Sequence, residues 1–325
     1  MAIRTGFITA AHLHIWGYAH AMKLDPEFEV VGIWDDDPQR RWEFAERAGI
    51  PEFERLESLL EIVDAVVIVS ENVRHFEFGM KAIAAGKHVL CEKPLVTELS
   101  EGQKLVDAAR DKGVVLMTAF PCPYSPAFQR LRQKIDAGDI GAVRAICSTN
   151  RGRCPFGWFV EAEKSGGGAM IDHTVHVADL LHRILGKEPT SVVAQAGHNM
   201  YGKSWEDTAM LTLSYPDGIF ATLDSSWSRP ADYKTWGDVT MNVIGEKGVI
   251  ELDLFGQQLD IYANGAHTVA GYGSDLDKAL VADFARAIVD GRAPNATGED
   301  GLRASRVALA AYASLKVSEP ISLSS

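Results

Sequence analysis

Cysteine is scarce in this chain: four occur in 325 residues, at positions 91, 122, 147 and 154. None stands in the paired two-residue spacing of a zinc or redox centre, so reduced thiols in an ordinary core are expected. Long apolar runs are missing as well. No stretch approaches the roughly 18 residues that a bilayer-crossing helix needs, so no helical membrane span is expected. Met1–Thr5 leads straight into a strand pattern, which leaves no room for a signal peptide and makes the cytoplasm the expected compartment. Basic residues are outnumbered, 32 Lys and Arg against 44 Asp and Glu, for a net charge of −12. Nucleic acid or an anionic membrane would require the opposite sign, and the expected partner is a small neutral or polar molecule.

What is present reads as two globular domains. Apolar residues make up 46% and charged residues 23%, a composition that supports a core and argues against disorder. From Ile3 to about Phe120, β-branched runs (Phe28–Trp34, Asp64–Val69, His88–Cys91, Val114–Thr118) alternate with amphipathic segments. That alternation predicts an α/β domain over 1–120, a doubly wound parallel sheet of the Rossmann type. Asp37-Pro38 fits a helix start, and Gly49 and Gly86 fit helix ends. After Pro121-Cys122-Pro123 the rhythm changes. A helix near Ser125–Ala137, a strand at Val143–Thr149 and a long helix at Ala169–Leu185 precede six strands, with Asp217-Gly218 and Lys247-Gly248 as hairpin turns. Residues 121–325 are therefore expected to form an α+β domain: an open-faced, largely antiparallel sheet with helices on one face. Two closing helices, near Leu276–Asp290 and Gly301–Leu315, have the option of packing back on the first domain.

Glycine is missing where a nucleotide site would use it. In "GFITAAHLHIW", residues 6–16, the first strand runs into a helix start, yet Thr9, Ala11 and His14 stand where three glycines are expected. Phosphate binding at such a turn uses backbone N–H groups and a helix amino terminus, and every residue but proline offers the former. Thr9, Ala11, His12 and Leu13 are thus expected to cradle a pyrophosphate through their backbones. At the next strand end, in "VVGIWDDDPQR", Asp35 is placed to accept hydrogen bonds from the adenosine ribose. Asp36 opposes a 2′-phosphate, since like charges about 4 Å apart cost about 1 to 4 kcal/mol. NAD is favoured over NADP. The competing reading is an acidic turn that only caps the following helix.

Two further stretches carry chemistry. "GKHVLCEKPL" delivers Glu92 and Lys93 to the end of a buried strand, where a charged pair is expensive unless it is used. Lys93 is placed to stabilise negative charge on a substrate oxygen; an ion pair that merely ends the strand is the equal alternative. In "GGGAMIDHTVHVADLLHRILG", residues 166–186, an apolar stripe (Ile171, Val175, Ala178, Leu181, Leu185) lies beside a polar one (Asp172, His176, Asp179). Asp172 and His176 share a face. His176 suits proton exchange with a hydroxyl, and Asp172 suits orienting the substrate or the imidazole. His173 falls with Val177, Leu180 and Ile184 and reads as packed. Asp172, His173 and His176, even with His12 or His14, lack the spacing of a zinc helix, and no metal is expected. Trp158, Trp205 and Trp227 read as core or interface, with Trp158 also placed to line a pocket.

Taken together, the chain resembles the glucose-fructose oxidoreductase, inositol dehydrogenase and MocA (Gfo/Idh/MocA) family over nearly its whole length. "AAGKHVLCEKPL" is similar to the family's Glu-Lys-Pro motif and "GGGAMIDHTVHVADLL" to its glycine, aspartate and histidine helix. "WEDTA", "VIGEKGVIELD" and "TGEDGLRASRVALAAYAS" are weaker echoes. The resemblance implies Lys93, Asp172 and His176 as catalytic residues, a cis bond before Pro94, and Ser70, Asn72 and His75 along the cofactor with Glu92 and Lys93. It also implies dimers or tetramers formed through the second-domain sheet. The chain departs from the family at the glycine loop, and at Pro123 beside Tyr124, where members often carry arginine; Tyr124 and Trp158 are the remaining substrate candidates. The implied activity is NAD-dependent hydride transfer at a secondary alcohol or ketone of a sugar, cyclitol or polyol, with Lys93 and His176 reaching one alcohol. An NAD-dependent glycosidase and a non-catalytic nucleotide or sugar sensor are the competing readings.

Overall fold

The computed structural model describes residues 2–323 apart from 264 and 272. Helices are α1 (Ile15–Leu24), α2 (Pro38–Ala48), α3 (Leu56–Ile62), α4 (His75–Ala84), α5 (Leu99–Lys112), α6 (Pro126–Asp136), α7 (Ala162–Ser165), α8 (Ala169–Leu185), α9 (Leu276–Asp290) and α10 (Gly298–Val317). The chain forms two compact units. The first comprises Met1–Pro121, Glu163–Gly166 and Asp275–Leu302; the second comprises Cys122–Ala162, Gly167–Ser274 and Arg303–Ser325. Where the sequence suggests one cut at 120/121, two later segments thus return to the first unit.

In the first unit β1 (Ile3–Ile8), β2 (Phe28–Trp34), β3 (Glu52–Phe53), β4 (Ala65–Ile68), β5 (His88–Cys91) and β6 (Leu116–Thr118) form a parallel sheet in the order 3-2-1-4-5-6. β4 is buried on both faces, as a strand covered by helices on either side must be. Strand order reverses between β1 and β4, and their carboxyl ends open on the crevice where such sheets bind ligands. Asp37 caps α2 by accepting from the N–H groups of Gln39 (3.0 Å) and Arg40 (3.1 Å), with Pro38 in the first turn. Gly49 ends that helix at φ 62°. Helix α9 packs on α1. Gly17 allows this approach, because a Cβ there would lie 2.2 Å from Asp277 Oδ2.

The second unit is built on a seven-stranded sheet. Its strands are β7 (Val143–Thr149), β8 (Ser191–Gly197), β9 (Thr208–Ser214), β10 (Phe220–Asp224), β11 (Thr240–Gly245), β12 (Val249–Asp253) and, beyond a separate hairpin of β13 (Gln258–Ala263) and β14 (Ala266–Gly271), β15 (Ile321–Ser322). The order is 12-11-7-10-9-8-15, antiparallel throughout except for the parallel pair β7 and β10. Directly paired residues share a face. Ile146, Leu211, Leu213, Ala221, Leu223 and Val243 accordingly line the buried side, against which α8 packs. Cys147, Met210, Phe220 and Ile244 point the other way and are exposed.

Candidate active site and cofactor loop

The loop after β1 is folded by backbone and side chain without glycine. Thr9 adopts the left-handed conformation, φ 62°, which a glycine would otherwise supply. Its N–H reaches Trp34 O (2.7 Å), and the N–H of His12 reaches Val69 O (2.9 Å), so the loop is pinned to the ends of β2 and β4. Helix α1 then starts with no side-chain cap and no acid in its first turn. Such an end presents unsatisfied N–H groups to an anion. Thr9 Oγ1 is buried with no hydrogen-bond partner among the described residues. The N–H groups of Thr9 and His12, expected to cradle the phosphates, are thus engaged within the fold, and it is the turn, the uncapped helix and the orphaned hydroxyl that fit a dinucleotide diphosphate.

Asp35 departs from the expected role. Its carboxylate is fully buried and accepts from Ala10 N (2.7 Å), Asp37 N (2.9 Å), Arg40 Nε (2.7 Å) and Arg40 Nη2 (2.8 Å). Two carboxylate oxygens have about four acceptor positions, and these contacts use them all. Asp35 therefore builds the loop, and a ribose hydroxyl would have to displace one of these donors. The arginine five residues on is what the sequence reading left out. Asp36 is exposed and paired with Arg74 (2.8 Å). Arg74 and Arg40 also flank Glu71, at 3.8 and 3.3 Å.

The segment after β4 is committed to the loop that carries Lys93. His75 is fully buried, and burial, opposed by its carbonyl contacts, holds its imidazole below the usual value and neutral. Its Nδ1 lies 2.7 Å from Pro94 O and its Nε2 3.3 Å from Ser70 O. The shorter contact takes the single ring proton, so His75 ties the Lys93–Pro94 turn to the end of β4 and fits a positioning role better than direct cofactor contact. The Lys93–Pro94 bond is cis. Asn72 Nδ2 donates to Ser165 O (2.9 Å), and Ser70 Oγ to Glu71 O (3.1 Å).

Glu92 is the hub of the unit. Its Oε1 accepts from Tyr18 Oη (2.6 Å) and faces His14 Nδ1 (2.8 Å) and His12 Nδ1 (3.7 Å); its Oε2 accepts from Lys93 N (2.9 Å). Burial alone would raise the carboxyl, but the neighbouring imidazoles of His12 and His14, the His14 hydrogen bond and the Lys93 charge hold it well below the usual range. Burial and the adjoining carboxylate keep Tyr18 a neutral donor. His12, His14 and Glu92 are also metal-ligand types gathered within 4.8 Å. The His12 Nδ1 lone pair, however, already accepts the N–H of His14 (3.2 Å), and Glu92 is engaged as above. The group is coherent as a hydrogen-bonded cluster.

In the second unit the glycine run lets other chains reach the start of α8. Gly168 N donates to Glu206 Oε1 (2.6 Å), and Gly168 and Ile171 both donate to Tyr312 Oη, at 3.2 and 3.3 Å. Tyr312 in turn donates to Glu206. A Cβ on Gly168 would lie 2.4 Å from Glu206 O. Asp172, expected to serve substrate or His176, accepts from Trp227 Nε1 (3.0 Å) and lies 3.3 Å from His173 Nε2. His173 is buried, in keeping with its place on the apolar stripe. His176 differs from its neighbours: every other residue from Ala169 to Leu181 is buried, and it alone is partly exposed. Trp158 stacks on Phe159 (centroids 3.9 Å apart) and joins Trp227, Cys154 and Ala169 in one apolar cluster. Trp205 and Tyr201 continue it, each ring 5.5 to 5.6 Å from the next. Tyr124 sits on a short turn packed against α8. The sequence reading missed Trp227 and Glu206 as partners; only the "WEDTA" echo touched the latter.

Known proteins resemble this chain in sequence and in fold. A family model described as an oxidoreductase family with an NAD-binding Rossmann fold matches residues 4–120, and a GFO/IDH/MocA C-terminal domain matches residues 128–251. The chain is 31% identical over 290 residues to the 1,5-anhydro-D-fructose reductase of Ensifer adhaerens, covering 84% of this chain and 85% of that protein. It is 26% identical over 321 residues to the myo-inositol 2-dehydrogenase of Thermotoga maritima, covering 94% of each. In fold it is similar to GenD2 of gentamicin A biosynthesis, crystallised with NAD: TM-score 0.90, 24% identity, 100% of this chain and 97% of that one. With a strand order made for a dinucleotide, the Glu-Lys-Pro turn and the glycine, aspartate and histidine helix all in these matched segments, the chain belongs to the Gfo/Idh/MocA family of NAD-binding oxidoreductases.

Proposed function

We propose that the protein interconverts a secondary alcohol and a ketone on a sugar, cyclitol or related polyol, using NAD. The observation that carries this reading is the selective exposure of His176 on an otherwise buried helix segment, beside an Asp172 already fixed by Trp227. Bound NAD supplies a two-electron hydride acceptor. His176 takes the hydroxyl proton as the carbon gives up its hydride, and returns it in the reduction. Lys93, on a turn fixed by His75 and Glu92, donates a hydrogen bond to the reacting oxygen and stabilises the charge that develops there. Asp172 holds the local geometry through Trp227, and the rings of Trp158 and Trp205 offer apolar faces suited to a sugar's C–H surface. The relatives named above act on an anhydro sugar and an inositol, which supports this substrate class. The exposed face of the second-unit sheet supports assembly into dimers or tetramers, and the four free cysteines are in keeping with a cytoplasmic setting.

The test is an NAD-reduction screen over sugars, inositols and sugar acids, with NADP in parallel. Turnover with NAD is expected on at least one polyol. Lys93→Ala and His176→Ala are each expected to lower kcat by about 10²- to 10³-fold with NAD affinity retained. Unchanged turnover in either variant would remove that residue from the chemistry. Cleavage of a glycoside without NADH accumulation would replace the dehydrogenase reading with a glycosidase.

A further inference from the structure

We propose that His14, charged and anchored on Glu92, supplies the positive group that recognises the dinucleotide's diphosphate, in place of a glycine-rich loop. The inference rests on the NAD reading above and assigns a residue to one part of that ligand.

Four observations on this unit lead to it. His14 occupies the position of an expected glycine, at the amino-terminal end of α1, which has neither a side-chain cap nor an acid in its first turn. Its Nδ1 is held 2.8 Å from Glu92 Oε1, which leaves Nε2 as the ring's second donor when the imidazole is charged. Its side chain remains 34% exposed while Glu92 is fully buried, so the carboxylate serves as a fixed anchor and the ring as the accessible part. Charge completes the argument. Against its neighbours Glu92, Lys93 and Asp277, a charged His14 makes the group one unit more positive than a neutral one does. A diphosphate is favoured by the first state.

The groups facing His14 are Glu92 and Lys93 at the end of β5, Tyr18 on α1, His12 in the loop and Asp277 in the first turn of α9. Burial would lower the imidazole and Lys93 opposes its charge. The charge and hydrogen bond of Glu92, with Asp277, outweigh both and leave His14 above its usual 6.5. Diphosphate affinity is therefore greatest below the His14 transition and falls as pH rises through it.

The full-length protein is titrated calorimetrically with ADP-ribose and with adenosine, at pH 6 and pH 9. ADP-ribose is expected to bind about tenfold more weakly at pH 9, while any adenosine binding stays level. His14→Gln is expected to lose that pH dependence and match the weaker affinity at both pH values, and His14→Lys to restore tight binding at both. NMR titration of the wild-type histidines gives a second readout that needs no variant: ADP-ribose should move the His14 transition upward. A level ADP-ribose affinity in the wild type, or a pH dependence preserved in His14→Gln, overturns the assignment. Retained NAD turnover beside either result leaves the dehydrogenase reading standing. Failure of the wild type to bind any dinucleotide overturns both.

Discussion

Glu92 shows how much one buried carboxylate can organise. It fixes Tyr18, His14 and the backbone of Lys93 at once, and its pairing with His14 has a pH signature of definite sign. A carboxyl held below its usual value stabilises the fold above the ordinary 4.5 and loses that contribution as pH falls through the folded value. An imidazole raised above its usual value stabilises fully below 6.5 and loses that contribution as pH rises through the folded value. The two windows overlap between 4.5 and 6.5. The stability gap between wild type and His14→Gln, measured by urea unfolding, is expected to be about 1 to 2 kcal/mol within that window and to narrow on both sides. A gap that widened toward pH 9 would contradict the pairing. None of this was visible in the sequence, where residues 14, 18 and 92 are separate letters. Local spacing identified Lys93, Asp172 and His176 as polar groups at special positions, but it could not show that Asp35 is already occupied by Arg40 or that Trp227 holds Asp172. Those pairings join residues brought together only by folding.

At the scale of elements, the start of α8 depends on close backbone approach. Glu206 caps it by accepting from Gly168, and the carbonyl of Glu206 in turn accepts from Ala169 N (3.1 Å). Because a Gly168 Cβ would meet that carbonyl at 2.4 Å, no side-chain rotation relieves the clash. Gly168→Ala is expected to cost about 3 kcal/mol in denaturant unfolding, the upper end for overpacking, and to disturb the helix that carries Asp172 and His176. A variant with wild-type stability would show that the strand end shifts freely. The elements themselves were largely legible. Helix α8 and strands β2, β5 and β7 have the expected bounds, because long apolar stripes and β-branched runs dominate their local energetics. The missed pieces, β3, β14, β15 and α7, are two to six residues long and have too few positions to show a period.

At the scale of the whole molecule, the second-unit sheet leaves one face open. Met210, Phe220 and Ile244 are 55%, 47% and 37% exposed on strands whose opposite side is core. We propose that copies of the chain associate through this face. Phe220→Asp is expected to shift the species seen by light scattering toward the monomer with little loss of fold, and an unchanged mass would place assembly elsewhere. The division of the chain has one more consequence. Helix α9, which seats Asp277 against Gly17 of α1, is translated more than 250 residues after the helix it covers. Helix α1 thus emerges from the ribosome with the face that α9 covers still bare, and its cover follows only after β7 to β14 have been made.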